Sequence, residues 1–276
     1  MKKVLLPTDF SENSWNAILY ALKLYAEEEC TFYLLNSVKL KASRASNLSN
    51  KLMRVVHEQG KEELLALKNL AEITSKNAKH TFEIILSSED LEQSIDTAIV
   101  KDNIDLVVMG TKGATGAKEF FFGSNTVKII EQVKLCPVLV VPDDYNFAAP
   151  QKIAFPTDFN RPYNLLELKP LIDLAEIKDS KIKIFHINQK EKLSDKQERN
   201  FETLKDFIKK YEHDFYWEPK EEKKEVEINN FIKDLGIDIL AMVNYKHSFI
   251  ESITKEPVIK KIGFQPIIPF YVIPEQ

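Results

Sequence analysis

Apolar residues along this chain fall into two kinds of run. Stretches such as Val4-Leu5-Leu6, Leu106-Val107-Val108-Met109 and Val138-Leu139-Val140-Val141 are apolar at every position, the pattern of strands covered on both faces. Between them the apolar positions recur three and four apart, as in Ile18, Ala21, Leu22 and Tyr25, which is the stripe of an amphipathic helix. Taken in order, the first half reads strand 3–6, helix 12–27, strand 31–37, a long helix, strand 81–86, helix 91–101, strand 105–109, helix 124–134 and strand 137–142. Alternating strands and helices imply an α/β fold, a parallel sheet with helices on both faces.

The pattern then starts again. Lys3-Val4-Leu5-Leu6-Pro7-Thr8-Asp9-Phe10 returns as Lys152-Ile153-Ala154-Phe155-Pro156-Thr157-Asp158-Phe159, and Ile104-Asp105-Leu106-Val107-Val108-Met109 returns as Ile237-Asp238-Ile239-Leu240-Ala241-Met242. The second pair is closer together than the first. The second copy is therefore expected to have lost a long stretch of helix, where the first carries Leu48 to Ser75. A polar, proline-ended join, Asp143 to Pro150, separates two domains at 1–145 and 150–276.

Glycine placement carries the candidate chemistry. Of only seven glycines, Gly110, Gly113, Gly116 and Gly123 follow directly on the run Leu106–Met109. Backbone amides close on a phosphate only where no Cβ obstructs them, and a strand, glycine-rich loop, Ser124 and amphipathic helix supply such amides with a helix N-terminus. Asp9 follows the first strand and Gly110 ends the fourth, so the two lie side by side if those strands are neighbours. In open parallel sheets ligands bind at that edge. Structural roles compete for the same residues: Asp9 orienting the turn before a helix capped by Ser11, Ser124 as an N-cap, Lys112 as a solvated loop charge, and Phe120-Phe121-Phe122 as packing or interface surface.

Composition narrows the class. Hydrophobic content of 44% with 29% charged residues, a net charge of −4 and two cysteines describe a soluble globular chain with neither a disulfide framework nor a zinc site. No nucleic-acid partner, membrane span or export signal is expected, and the localisation reads as cytoplasmic. The five histidines show no metal-ligand spacing, and His186 reads as a satisfied core or edge residue. No Gly-Lys-Ser or Gly-Lys-Thr run is present, which speaks against Walker-type hydrolysis.

Gly110, two residues, Gly113, nine residues, Gly123-Ser124, with the Pro7-Thr8-Asp9 start and the Cys136 to Pro142 finish, resembles the ATP-binding pattern of the universal stress proteins. The resemblance covers the whole chain as a tandem pair. It implies two Rossmann-like domains, each a five-stranded parallel sheet in the order 3-2-1-4-5, with ATP, ADP or AMP on the first. Pro7, Thr8 and Asp9 would then flank the nucleotide, with Asp9 on a ribose hydroxyl. Backbone near Ser37 and Val38 would read the adenine edge. Gly110 and Gly113 would admit ribose and phosphates, and Gly123, Ser124 and Asn125 would hold the phosphates beside Lys112. Mg²⁺ would bridge phosphate oxygens, with no dedicated metal site on the protein.

The second copy lacks this apparatus. Val243 stands at the position of Gly110, Lys246 at that of Gly113, and Thr254, Lys255 and Glu256 around that of Gly123. Its own glycines, Gly236 and Gly263, read as left-handed caps before strands. The expectation is an ATP-binding regulatory or stress-response protein without catalytic residues, its second domain a pseudo-partner in an intramolecular pseudo-dimer, with a homodimer as a further possibility. Alternatives are a slow ATP hydrolase, with Asp9 or Ser124 orienting water, and a scaffold binding another ligand or protein through the second domain.

Overall fold

A computed structural model of the chain describes residues 1–38, 46–111, 122–143, 145–188, 192–219, 224–245 and 267–276. The chain divides into two compact units, Met1–Asp144 and Tyr145–Gln276.

The first unit runs β1 (Lys2–Pro7), α1 (Glu12–Leu24), β2 (Cys30–Ser37), α2 (Ser46–Thr74), β3 (His80–Ser87), α3 (Leu91–Asp102), β4 (Leu106–Gly110), α4 (Ser124–Gln132), β5 (Val138–Val141). Its strands are all parallel, in the order β3-β2-β1-β4-β5. Val4, Leu5, Leu6, Val107 and Val108 are wholly buried, because helices cover both faces and leave no polar side to the strand. α1 packs on β4 and β5, α2 on β2 and β3, and α3 on β1 and β2. The stripe Ile18, Ala21, Leu22 and Tyr25 is buried as its spacing predicts. Ser11 caps α1, its side chain accepting from the Ser14 amide.

The second unit repeats the plan: β6 (Lys152–Pro156), α5 (Leu165–Ile177), β7 (Lys181–Asn188), α6 (Asp195–Ile208), β8 (His213–Pro219), α7 (Lys224–Leu235), β9 (Ile239–Asn244) and β10 (Phe270–Pro274). The parallel order is β8-β7-β6-β9-β10, the same topology as in the first unit. The crossover helix expected to be lost is halved instead, from 29 residues in α2 to 14 in α6. Two parallel strands cannot be joined without a crossover, so the helix shortens but stays. A reciprocal capping box between Ser194 and Gln197 marks its start. Gly236 ends α7 with φ of 59°, the left-handed cap read from its position; Gly263 lies outside the described residues.

One turn is built alike in both units. The hydroxyl of Thr8 accepts from the Phe10 amide at 3.0 Å, and that of Thr157 from the Phe159 amide at 3.0 Å. Carboxylate Oδ1 of Asp9 accepts from the Ser11 amide, and that of Asp158 from the Asn160 amide. Phe10 and Phe159 are held left-handed, at φ of 63° and 55°. That conformation costs a bulky residue about 1–2 kcal/mol. Two hydrogen bonds at about 1 kcal/mol each, with burial of the Phe159 ring at 0% exposure, offset it.

α1 starts at once after its turn because β4 ends in Gly110. A Cβ built there would stand 1.7 Å from Asn13 Oδ1 and 2.7 Å from Asn13 Cγ, so the helix rests in the space the missing side chain leaves. In the second unit that position is Val243, buried at 6% exposure, and α5 does not begin until Leu165.

Two outcomes are expected. Gly110→Ala should lower the stability of the first unit by roughly 1–3 kcal/mol, and Asn13→Ala should remove most of that loss in the double variant. Chemical denaturation in a double-mutant cycle measures it; simply additive losses would show that the two residues do not meet. Burial pushes the thiols of Cys30 and Cys136 up to about 12, so at pH 8 roughly one in ten thousand is thiolate. Both should react with a disulfide reagent only at the rate of unfolding, and rapid labelling of native protein would contradict their burial.

Candidate functional site

β1 and β4 are paired neighbours although β2 and β3 separate them in sequence. The chain therefore reverses direction across the sheet between them, and their C-terminal ends frame the crevice where such folds place ligands. Around this edge stand the Pro7–Asp9 turn, Gly110, Ser37 at the end of β2 with Val38 just past it, and the start of α4.

α4 has the open N-terminus. Its N-cap is Gly123, which makes no side-chain cap, and no acidic residue lies in the first turn. Ser124 is the first helical residue and is exposed, as is Asn125, so the cap reading of Ser124 is corrected. The amides of Ser124, Asn125 and Thr126 thus have no acceptor within the helix, and they sit at its positive end. Gly123 has φ of −62°, open to any residue, so the backbone conformation does not call for glycine there.

The base of the glycine-rich loop is pinned shut. Gly123 N donates to Thr111 O at 2.6 Å. Thr126 Oγ1 lies 3.1 Å from both the Gly110 and the Thr111 carbonyls. Thr126 is buried at 2% exposure, and its single hydroxyl proton fixes the loop entrance onto α4. Across the edge, Asn13 Nδ2 donates to Asp143 Oδ1 at 3.0 Å and Asn16 Nδ2 to the Pro142 carbonyl at 3.3 Å. Asn13 and Thr126 were missed in the sequence, yet a signal existed. Asn13 shares a helical stripe with Ala17, Ala21 and Leu24, and Thr126 shares one with Ile129 and Ile130; a polar residue on an apolar stripe has a buried partner.

Thr8 is engaged within the fold: its amide donates to Leu35 O, its carbonyl accepts from Asn36, and its hydroxyl meets Ser14 and Phe10. Asp9 is exposed, and its Oδ1 takes both the amide and the hydroxyl of Ser11. Pro7 is buried at the end of β1. The Ser37 hydroxyl donates to Glu89 O, and the Val38 amide to Ser87 O at 2.8 Å, so a base edge could meet Val38 only through its carbonyl. Gly110 is filled from the Asn13 side. Lys112, Gly113 and Gly116 lie outside the described residues, as do Lys246 and Thr254–Glu256; of the three phenylalanines only Phe122 is described, and it is buried.

A profile of the universal stress protein family matches residues 1–142, the extent of the first unit. The chain belongs to the universal stress protein family. It is 31% identical over 150 residues to Universal stress protein MJ0531 of Methanocaldococcus jannaschii, covering 51% of this chain and 81% of that protein. It is 27% identical over 146 residues to Universal stress protein YxiE of Bacillus subtilis, covering 50% and 97%. A universal stress protein structure from Archaeoglobus fulgidus superimposes with a TM-score of 0.75 at 17% identity, covering 99% of this chain and 98% of that one. That likeness concerns the fold.

The corresponding edge of the second unit is occupied by its own side chains. The residues between the turn and α5, Asn160 to Tyr163, are not helical. From this stretch Arg161 donates to Glu167 Oε1 at 2.5 Å and comes within 3.7 Å of Glu275. Its guanidinium carbon stands 4.8 Å from the Tyr245 ring centre and 5.8 Å from that of Tyr163, within cation–π range. Tyr163 and Thr157 share a hydrogen bond. Burial, with the charge of Asp158, pushes the Tyr245 phenol up to about 12, and burial raises Tyr163 as well; both rings stay neutral beside the cation. His186, buried, puts Nδ1 on the Thr157 carbonyl at 2.7 Å, as Asn36 does for Thr8 in the first unit; a satisfied core residue was expected there.

Glu167 is wholly buried, so its pairing with Arg161 can be tested directly. Arg161→Met should cost about 3 kcal/mol by leaving a buried carboxylate alone, whereas Arg161→Met with Glu167→Met should recover most of it. Hydrogen exchange in β6 and β9 reads the effect; equal losses in the single and double variants would show that the pair does not hold this edge.

Proposed function

We propose that the first unit binds an adenine nucleotide, with Mg²⁺ bridging its phosphates, and that the chain is a nucleotide-binding regulatory protein whose second unit takes no nucleotide. The observation that carries this reading is the α4 terminus. It is an uncapped helix start with no acid in its first turn, behind a glycine that its own φ does not require, at the crevice beside β1. Anions are favoured at such a terminus by both its orphan amides and its dipole. Lys112 and Gly113, between strand and helix, would complete the cradle. Asp9 would meet the ribose while its Oδ1 orients the turn, and the Val38 carbonyl would accept from the exocyclic amine of adenine.

Two features support a single site per chain. Lys246 stands where the loop has Gly113, and Arg161 with Tyr245 takes up the second edge. The repeated turn at Asp158 is then fold hardware alone.

Nucleotide at about a hundred times its dissociation constant should add roughly 2.7 kcal/mol of stability. Thermal-shift titration with ATP, ADP and AMP in the presence of Mg²⁺ checks this, and calorimetry should give one nucleotide per chain. No stabilisation at millimolar concentration, or a stoichiometry near two, would overturn the reading. Ser124→Glu separates a ligand role from a structural one. A carboxylate in the first turn of α4 should stabilise the ligand-free protein by about 0.3–1 kcal/mol while weakening nucleotide binding, and Gly113→Val should abolish binding because its side chain fills the phosphate space.

A further inference from the structure

α2 carries two stripes. Gly60, Leu64 and Ala71 are buried and turn one side of the helix onto β2 and β3. Leu52 and Val55 toward its start, and Ala66, Leu70 and Ile73 toward its end, lie on another side, in a register of threes and fours that passes through Gln59 and Glu62. All of these are exposed, Ile73 at 82%. α2 holds six of the fourteen large apolar side chains that stand exposed among the described residues, and its counterpart α6 holds none, so the excess belongs to the extended helix and not to the shared plan of the units. From Leu52 to Ile73 the stripe runs about 30 Å.

The middle of the stripe is acidic. Glu62 makes no hydrogen bond or ion pair among the described residues, and Glu63 beside it accepts only from Gln59 Nε2, at 3.0 Å. Lys68 on the following turns pairs with Glu72 instead, at 3.8 Å. Apolar side chains at both ends and uncompensated carboxylates between them call for a complement that is apolar at its ends and basic in its middle. A second copy of the chain does not supply it. The antiparallel pairing that sets Leu52 on Ile73 and Val55 on Leu70 also sets Glu62 on Glu63, and a parallel pairing sets Glu62 on Glu62; either brings carboxylate against carboxylate, which opposes association.

We propose that this side of α2 is a docking surface for an amphipathic helix of a partner protein, apolar at both ends of the contact and rich in lysine or arginine in its middle. One end of that helix covers Leu52 and Val55, the other covers Leu70 and Ile73, and its cations meet Glu62 and Glu63. Anchors in helical register give such a contact its grip, and the opposed charges fix its register and reject partners of the wrong sign. None of these residues belongs to the candidate nucleotide site, so the surface stands apart from the nucleotide reading.

Fluorescence anisotropy tests it, with the full chain titrated into a labelled synthetic helix that carries leucine on one side of its end turns and lysine on the same side of its middle turns. Saturable binding at micromolar concentration is expected, as suits a contact at the small end of specific interfaces. Glu62→Lys with Glu63→Lys should weaken it about tenfold, and that double variant should instead prefer a control helix with glutamate in its middle turns. Leu52→Gln with Ile73→Gln should weaken binding through the two ends while melting stays unchanged, since both side chains are exposed and glutamine keeps the helix. Absence of saturable binding, equal binding of the lysine and glutamate helices, or indifference to Glu62→Lys with Glu63→Lys would overturn the proposal. So would a concentration-dependent dimer that the glutamine variant loses, which would make a second copy the occupant. Binding to phosphatidylcholine vesicles that the same variant loses would overturn it too, in favour of a lipid surface.

Discussion

The missing Cβ at the end of β4 governs this molecule. Because Gly110 carries no side chain, the first turn of α1 closes onto the strand, with Asn13 filling the vacant volume. From there Asn13 reaches Asp143 and Asn16 reaches the Pro142 carbonyl, which ties the helix to the exit of β5. The same residue begins the loop that Thr126 clamps from α4. One glycine thus positions two helix N-termini at one edge of the sheet. Close packing leaves little tolerance, since interiors at crystal-like density transmit the displacement of even one methyl group.

The second unit shows the edge when that constraint is lifted. With Val243 in the strand, the helix withdraws to Leu165 and leaves Asn160 to Tyr163 outside it. Arg161 from the freed stretch lies against Tyr245 and pairs with Glu167, a carboxylate buried at the helix start. The sheet order is unchanged. The exchange of side chains at this edge is therefore compatible with a retained fold, because the strand ladders and helix stripes depend on residues the exchange does not touch.

The Pro-Thr-Asp-Phe turn behaves differently from the loop. Both copies keep its two side-chain hydrogen bonds and its left-handed phenylalanine. Its presence in a unit without the glycine loop assigns the turn first to the fold, and any ligand role of Asp9 is built on top of that duty. The start of α4 differs: its N-cap Gly123 has no side-chain cap and a backbone conformation open to any residue.

The sequence alone determined the strands, the helices, the duplication and a parallel sheet in each unit, along with the glycine-rich loop and its neighbours; the strand order came with the family resemblance. These are periodic or local patterns: consecutive apolar runs, stripes at three and four, glycines within a few residues of one another. Tertiary structure decided what each site residue touches. That Thr8 is engaged internally, that Asn13 occupies the space of Gly110, and that Arg161 lies on Tyr245 all depend on residues far apart in the chain. The crossover helix of the second unit was misjudged for a related reason, since spacing shows how many residues are gone but not that a parallel connection must still cross the sheet. Packing between distant elements fixes such contacts through side-chain volumes meeting in three dimensions, and no single stretch of sequence contains both partners.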